Sequence, residues 1–308
     1  MSLLTRSAPR LVAALFVLSG LTSLVYEIVW TRILSTIIGN SSLAVALVVC
    51  IFMAGLAIGS FFSARWSRHN RNPLYSYAIL ELLIGAYSLA TPYIAPWVEN
   101  IYAAGYASVA TNFFLSVLLK SFLTTLFLLL PTIAMGATLP ILIRAFTQEE
   151  RRQKAALLYG ANTAGAVAGT LLAGYFLLPE FGIATTIQLT ACLNALIALI
   201  AFLMGGNRME AAAHSQIIAP FQPLYLLPFF TGFAAISYEV LWARALSMFF
   251  GSSVYAFSAI LAAFLLGIAS GSMYYSRRIP ENADPFEFFS LIQFRLALAA
   301  VFFLVIFM

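Results

Sequence analysis

Charge is what this sequence has least of. Asp, Glu, Lys and Arg make up 9% of its 308 residues, against 62% hydrophobic, and a soluble domain of that length needs far more charge to cover its surface. Cysteine and histidine are equally scarce, with two of each. Cys50 and Cys192 lie inside apolar runs and read as small core residues, so neither a disulfide framework nor a metal site is expected. No cofactor is implied by any motif. The net charge of +5 does not point to nucleic acid, because basic residues in a chain this apolar act as topology signals.

What is abundant is long hydrophobic runs. A helix needs about 20 apolar residues to cross a bilayer, and such runs recur along the chain at roughly 11–33, 43–63, 74–95, 113–143, 157–178, 183–204, 223–246, 254–275 and 286–308. The expectation is an all-α polytopic membrane protein with about nine transmembrane helices. The fourth run is too long for a straight crossing, and Pro131, Gly136 and Pro140 are expected to bend or break it. The start, "MSLLTRSAPR", resembles the basic region of a signal peptide. No small-residue cleavage site closes a short apolar core, so the first run is read as a span.

Basic residues set the orientation. Arg6, Arg10, Arg65, Arg68, Arg71, Arg144, Arg151, Arg152, Lys154, Arg208, Arg277 and Arg278 all fall on alternate connections. The opposite connections, about 36–42, 96–112, 179–182 and 247–253, hold none. This places the N-terminus in the cytoplasm of a multi-pass protein of the cell (plasma or inner) membrane, with the lipid bilayer as its first partner.

An internal repeat organises these spans. Shifted by 212, residues 20–65 match residues 232–277 at 16 of 46 positions without a gap. The matches are not the usual Leu and Ala. Gly20, Tyr26, Glu27, Trp30, Arg32, Ser35 and Gly39 meet Gly232, Tyr238, Glu239, Trp242, Arg244, Ser247 and Gly251. Gly55, Gly59 and Arg65 meet Gly267, Gly271 and Arg277, and further on Pro73 meets Pro285. The repeated unit contains six spans, so its copies share one orientation. Two six-helix halves related by an axis along the membrane normal describe a major-facilitator-like architecture. Residues 1–204 form the first six-helix repeat, 205–222 a cytoplasmic linker, and 223–308 the first three helices of an incomplete second repeat.

"SGLTSLVYEIVWTRILSTIIGNSS", "FMAGLAIGS", "PTIAMGATLPIL" and "LYGANTAGAVAGTLLAGYFLLPEFG" resemble the transporter-like membrane half of fused membrane/spermidine synthase proteins. The resemblance covers nearly the whole chain. It implies a polyamine-related setting, with a soluble aminopropyltransferase-like domain, or further helices completing the bundle, as partner. No βαβ pattern, glycine-rich loop after a strand, or acidic cluster for an aminopropyl donor occurs here, so no catalytic residue is assigned.

The intramembrane charges are the candidate site. A charged side chain at mid-bilayer costs about 2.5–3.5 kcal/mol on insertion scales. Helices 1, 4 and 7 line the central cavity of the major facilitator layout, which would bring Glu27, Glu239 and Lys120 toward one polar site. Tyr26, Tyr238, Trp30 and Trp242 would surround it, and the expected pairing is of both glutamates with Lys120. The competing reading makes Arg32 and Arg244 partners or interface anchors, with "YEIVWTR" a clamp at the outer helix end. Glu81 and Arg295 lie on helices peripheral in that layout and are expected to pair structurally. Asn162 is expected to bond across helices, and the Gly55/Gly59 and Gly267/Gly271 pairs to serve helix packing. A transporter-like domain for a small polar or cationic solute such as a polyamine, and a non-transporting anchor for an aminopropyltransferase-like domain, both remain open.

Overall fold

The computed structural model describes residues 3–39, 42–66, 72–146, 151–206, 226–251, 253–278 and 285–307. Among these, regular structure is entirely helical: α1 (Leu3–Ile38), α2 (Ser42–Trp66), α3 (Pro73–Val109), α4 (Phe113–Ile143), α5 (Arg151–Leu172), a π-helical turn (Ala173–Leu177), α6 (Leu178–Gly205), α7 (Leu226–Phe250), α8 (Val254–Arg278) and α9 (Pro285–Phe307). Among the described residues, eight stretches are long and apolar enough to cross a bilayer. The chain is a polytopic all-α membrane protein. Most of the proposed linker 205–222 and the basic residues Arg68, Arg71 and Arg208 lie outside the described residues.

One of the eight stretches, Lys154–Gly205, is 52 residues long and is interrupted at Gly182, whose φ of 70° and ψ of −177° leave the helical region. Glycine alone takes that backbone cheaply. The direction of the chain changes there. A Cβ on Gly165 would meet Val17 and one on Gly169 would meet Leu21, so α5 runs parallel to α1. Tyr77 lies against Leu15 and Glu81 against Ser19, so α3 is also parallel to α1. α6 runs against α3, since Asn194 reaches Glu81 while Asn72 donates to the Gly205 carbonyl.

Two expectations change. The fourth run is one continuous helix despite Pro131 and Pro140. Pro131 has no N–H for the Phe127 carbonyl, and the Tyr87 hydroxyl donates to that carbonyl instead at 2.7 Å; a partner from α3 thus satisfies the group that proline would orphan. The third run does not end near residue 95, because α3 continues to Val109. Its 37 residues span roughly 55 Å at ~1.5 Å each, well beyond a hydrocarbon core of about 30 Å. The connection read as a loop over 96–112 is therefore mostly helix, and Asn112 caps the start of α4 by accepting from Leu115 N.

Small residues draw the helices together. α2 packs on α4, α1 on α5, and α3 on α6 and α4. A Cβ on Gly55 would stand 1.8 Å from Thr132 Oγ1, and one on Gly59 would stand 2.0 Å from the Ile133 carbonyl. Asn162 donates to the Phe16 carbonyl across the α1–α5 contact. The two cysteines are a correction: Cys50 and Cys192 are exposed on the outer surface of the bundle. An apolar run in a membrane protein does not tell a core face from a lipid face, since both are apolar.

Candidate functional site

On α1, Ile28, Thr31, Arg32 and Ser35 recur at helical spacing and so share one face. On α7, Val240, Ala243, Arg244 and Ser247 hold the corresponding positions 212 residues on. All eight line a single cavity of about 440 Å³. α8 supplies Val254, Tyr255 and Phe257, and α2 supplies Val45. The π-helical turn and the start of α6 supply Gly174, Leu178 and Pro179. Tyr175, inside the π turn, donates to the Tyr255 carbonyl at 3.2 Å. π turns of this kind occur often at functional sites.

A second cavity of about 400 Å³ adjoins it, sharing Val45, Val240, Ala243, Phe257 and Ile260 as walls. Its lining is apolar apart from Glu239, with Trp242 and Phe303 in ring contact at 5.6 Å. Each cavity falls within the roughly 300–1,000 Å³ typical of small-molecule sites.

The expected site residues separate between two faces of α1. Tyr26 and Trp30 are completely buried and turn inward, stacked on each other at 5.3 Å, with Tyr87 of α3 edge-on to Trp30. They belong to the bundle core rather than to the cavity walls. Glu27 is 3% exposed, and its repeat counterpart Glu239 lies on α7. Arg32 and Arg244 are exposed into the first cavity. Tyr238, Glu239, Trp242 and Lys120 are half-buried. Among the described residues, no Lys or Arg nitrogen lies within 4 Å of Glu27, Glu81 or Glu239.

The hydroxyls beside the arginines already have acceptors on their own helices. Thr31 donates to the Glu27 carbonyl, Ser35 to the Arg32 carbonyl, and Ser247 to the Arg244 carbonyl. What they still offer the cavity is lone pairs. The two guanidinium groups are its charged donors.

The residue that sequence reasoning misplaced is Glu81. On α3, it is fully buried against α1 and α6, although the layout made its helix peripheral. Arg295 is exposed on α9. Ser19 Oγ donates to Glu81 Oε1 at 2.5 Å and Asn194 Nδ2 to Oε2 at 2.6 Å. Tyr26 OH in turn donates to Asn194 Oδ1 at 2.9 Å. A bundle interior without water makes polar groups find one another, and neutral donors satisfy this carboxyl group. Its partners sit 62 and 113 residues away, so no local pattern signals them.

No protein-family profile matches the chain, and no solved structure matches it. It is similar to Polyamine aminopropyltransferase 1 of Streptomyces coelicolor, with 26% identity over 203 residues. That match takes in 64% of this chain and 34% of the relative, so the chain spans about a third of the curated protein's length. The multi-pass membrane protein described above is thus a distant relative of a polyamine synthase.

Proposed function

We propose that this chain is a transporter-like membrane domain of a spermidine-synthase-related protein, handling a small polar or cationic solute such as a polyamine. The observation that carries this reading is the pair of adjoining cavities beside α7, one walled in equal register by both copies of the repeat and the other lined by Glu239. The helix boundaries support it as well. α1 and α7 end 212 residues apart, as do the starts and ends of α2 and α8 and the starts of α3 and α9. Gly39 and Gly251 close the first helix of each copy with φ of 92° and 79°. The reading counts nine crossings: a six-helix unit of the major facilitator type and the first three helices of another, with the N-terminus cytoplasmic. Glu239, which lines the second cavity, would meet an ammonium group of the solute, with Glu27 as the second candidate carboxylate.

Uptake of labelled spermidine into proteoliposomes tests the function. Glu239→Gln should reduce it at least about tenfold if the carboxylate holds a desolvated ammonium; equal uptake by wild type and variant rejects it. Orientation is tested separately, by impermeant thiol labelling in whole cells lacking Cys50 and Cys192. Asn100→Cys should label and Arg68→Cys should not. The similarity to an aminopropyltransferase favours a second reading, a non-transporting anchor for such a domain. Under it, no solute is taken up and both cavities are lipid-filled.

A further inference from the structure

We infer that Arg32 and Arg244 form a paired anion site that takes a carboxylate or phosphate group between α1 and α7. The inference rests on the reading of this cavity as a ligand site, and adds the chemical class of what it binds.

Two arginines line one cavity at repeat-related positions, and among the described residues its lining contains no Asp or Glu. Among the described residues, neither guanidinium has a carboxylate within 4 Å. Arginines on membrane helices are expensive to leave without a counter-charge, and those that persist face cavities or pair. Here both face a cavity and neither is paired. Their planar forks suit a bidentate oxyanion better than any other group. Of the neighbouring hydroxyls, Thr31, Ser35 and Ser247 already donate to backbone carbonyls, which leaves Ser253 and Tyr255 as neutral donors beside the two cations.

The walls say more. About 440 Å³ is far more room than a lone anion fills, and the remaining lining is apolar or uncharged: Ile28, Val45, Leu178, Val254 and Phe257. The anion is therefore one end of a larger molecule. A polyamine alone would be repelled at this point. A solute with a cationic end at Glu239 and an acidic end at the arginines fits both cavities, and so does a lipid phosphate entering from the bilayer. The shared chemistry is the oxyanion.

The test uses the full chain in phosphatidylcholine nanodiscs, titrated with inorganic phosphate, succinate or spermidine at constant ionic strength. Tryptophan fluorescence and the thermal midpoint are the readouts. A parallel arm measures retained phosphatidylglycerol by native mass spectrometry. The expected result is saturable phosphate or succinate binding, or stoichiometric phosphatidylglycerol, weakened about tenfold by Arg32→Gln and equally by Arg244→Gln, with the Lys variants intermediate. Saturation in the first arm identifies a soluble ligand, and retention in the second a lipid headgroup. Both arginines are exposed, so the variants should elute and melt as folded protein in the absence of ligand. Loss of binding without loss of fold is the supporting outcome. Absence of anion binding in both arms, or binding indifferent to both substitutions, overturns the site. Anion binding without spermidine uptake would instead remove the transport reading and leave the site standing.

Discussion

Helices α1–α3 and α7–α9 carry the same marker residues in the same register, yet their surroundings have little in common. Trp30 is completely buried against Tyr26 and Tyr87, whereas α7, which carries Trp242, has no buried residue at all. A Cβ on Gly20 would strike the Asn162 carbonyl at 2.1 Å and one on Gly59 the Ile133 carbonyl at 2.0 Å, while Gly232, Gly267 and Gly271 have nothing within 4 Å among the described residues. Glu81 sits in a closed network, and its counterpart Gln293 is half-buried on α9, where the span Phe286–Phe303 buries nothing. The repeat dictates shared helix boundaries, glycine spacing and the cavity face. Burial comes from α4, α5 and α6, which pack against α1, α2 and α3.

The largest test of that contrast is aromatic truncation. Trp30→Ala should destabilise by about 3–5 kcal/mol, the range for large aromatics in packed cores, and Trp242→Ala by far less. Thermal midpoints in mild detergent would show it. Equal losses would mean that α7 is covered by something in the native membrane.

Next come the glycines. Gly59→Leu drives a side chain into the α4 backbone, and overpacking of this kind costs about 1–3 kcal/mol or more. Gly271→Leu should leave the amount of monodisperse protein unchanged on size exclusion. A damaging Gly271→Leu would sharpen the comparison differently, by showing a helix seated on α8 as α4 is seated on α2.

Glu81→Leu strands the Ser19 hydroxyl and the Asn194 amide. Each buried group left unsatisfied costs about 1–3 kcal/mol, so the midpoint should fall measurably, with Gln293→Leu neutral. If Glu81→Leu is silent, the network contributes nothing to stability. The smallest effect is expected at Lys120→Met. With no carboxylate within 4 Å among the described residues, its loss should change stability by less than about 0.5 kcal/mol. A larger drop, reversed by adding Glu27→Gln, would restore the charge pairing that the sequence suggested.

Part of this was legible in advance. The spans follow from hydropathy and the packing of Gly55 and Gly59 from their fourfold spacing, because both are properties of one helix; Gly267 and Gly271, expected to pack for the same reason, meet nothing within 4 Å among the described residues. Asn162 was readable as a bridge for the same reason, since a polar side chain among small residues on a membrane helix has few alternatives. The end of α3 was misread because "PWVENIY" is polar enough to look like a loop, although nothing in it breaks a helix beyond its first turn. Glu81 was misread from a layout analogy. Arg32 and Ser35 stood out as repeated residues, but their shared cavity with Arg244 and Ser247 needed the two helices to be placed face to face.

From sequence alone came membrane residence, helix positions and the recurrence of the same residues at a spacing of 212, since each depends on local composition and order. Which copy of a repeated residue is buried, which cation faces a cavity and which carboxyl group closes a network were decided only by tertiary structure. The physical reason is that burial and hydrogen bonding belong to the contact between helices, and two nearly identical helices acquire different chemistry when different neighbours pack against them.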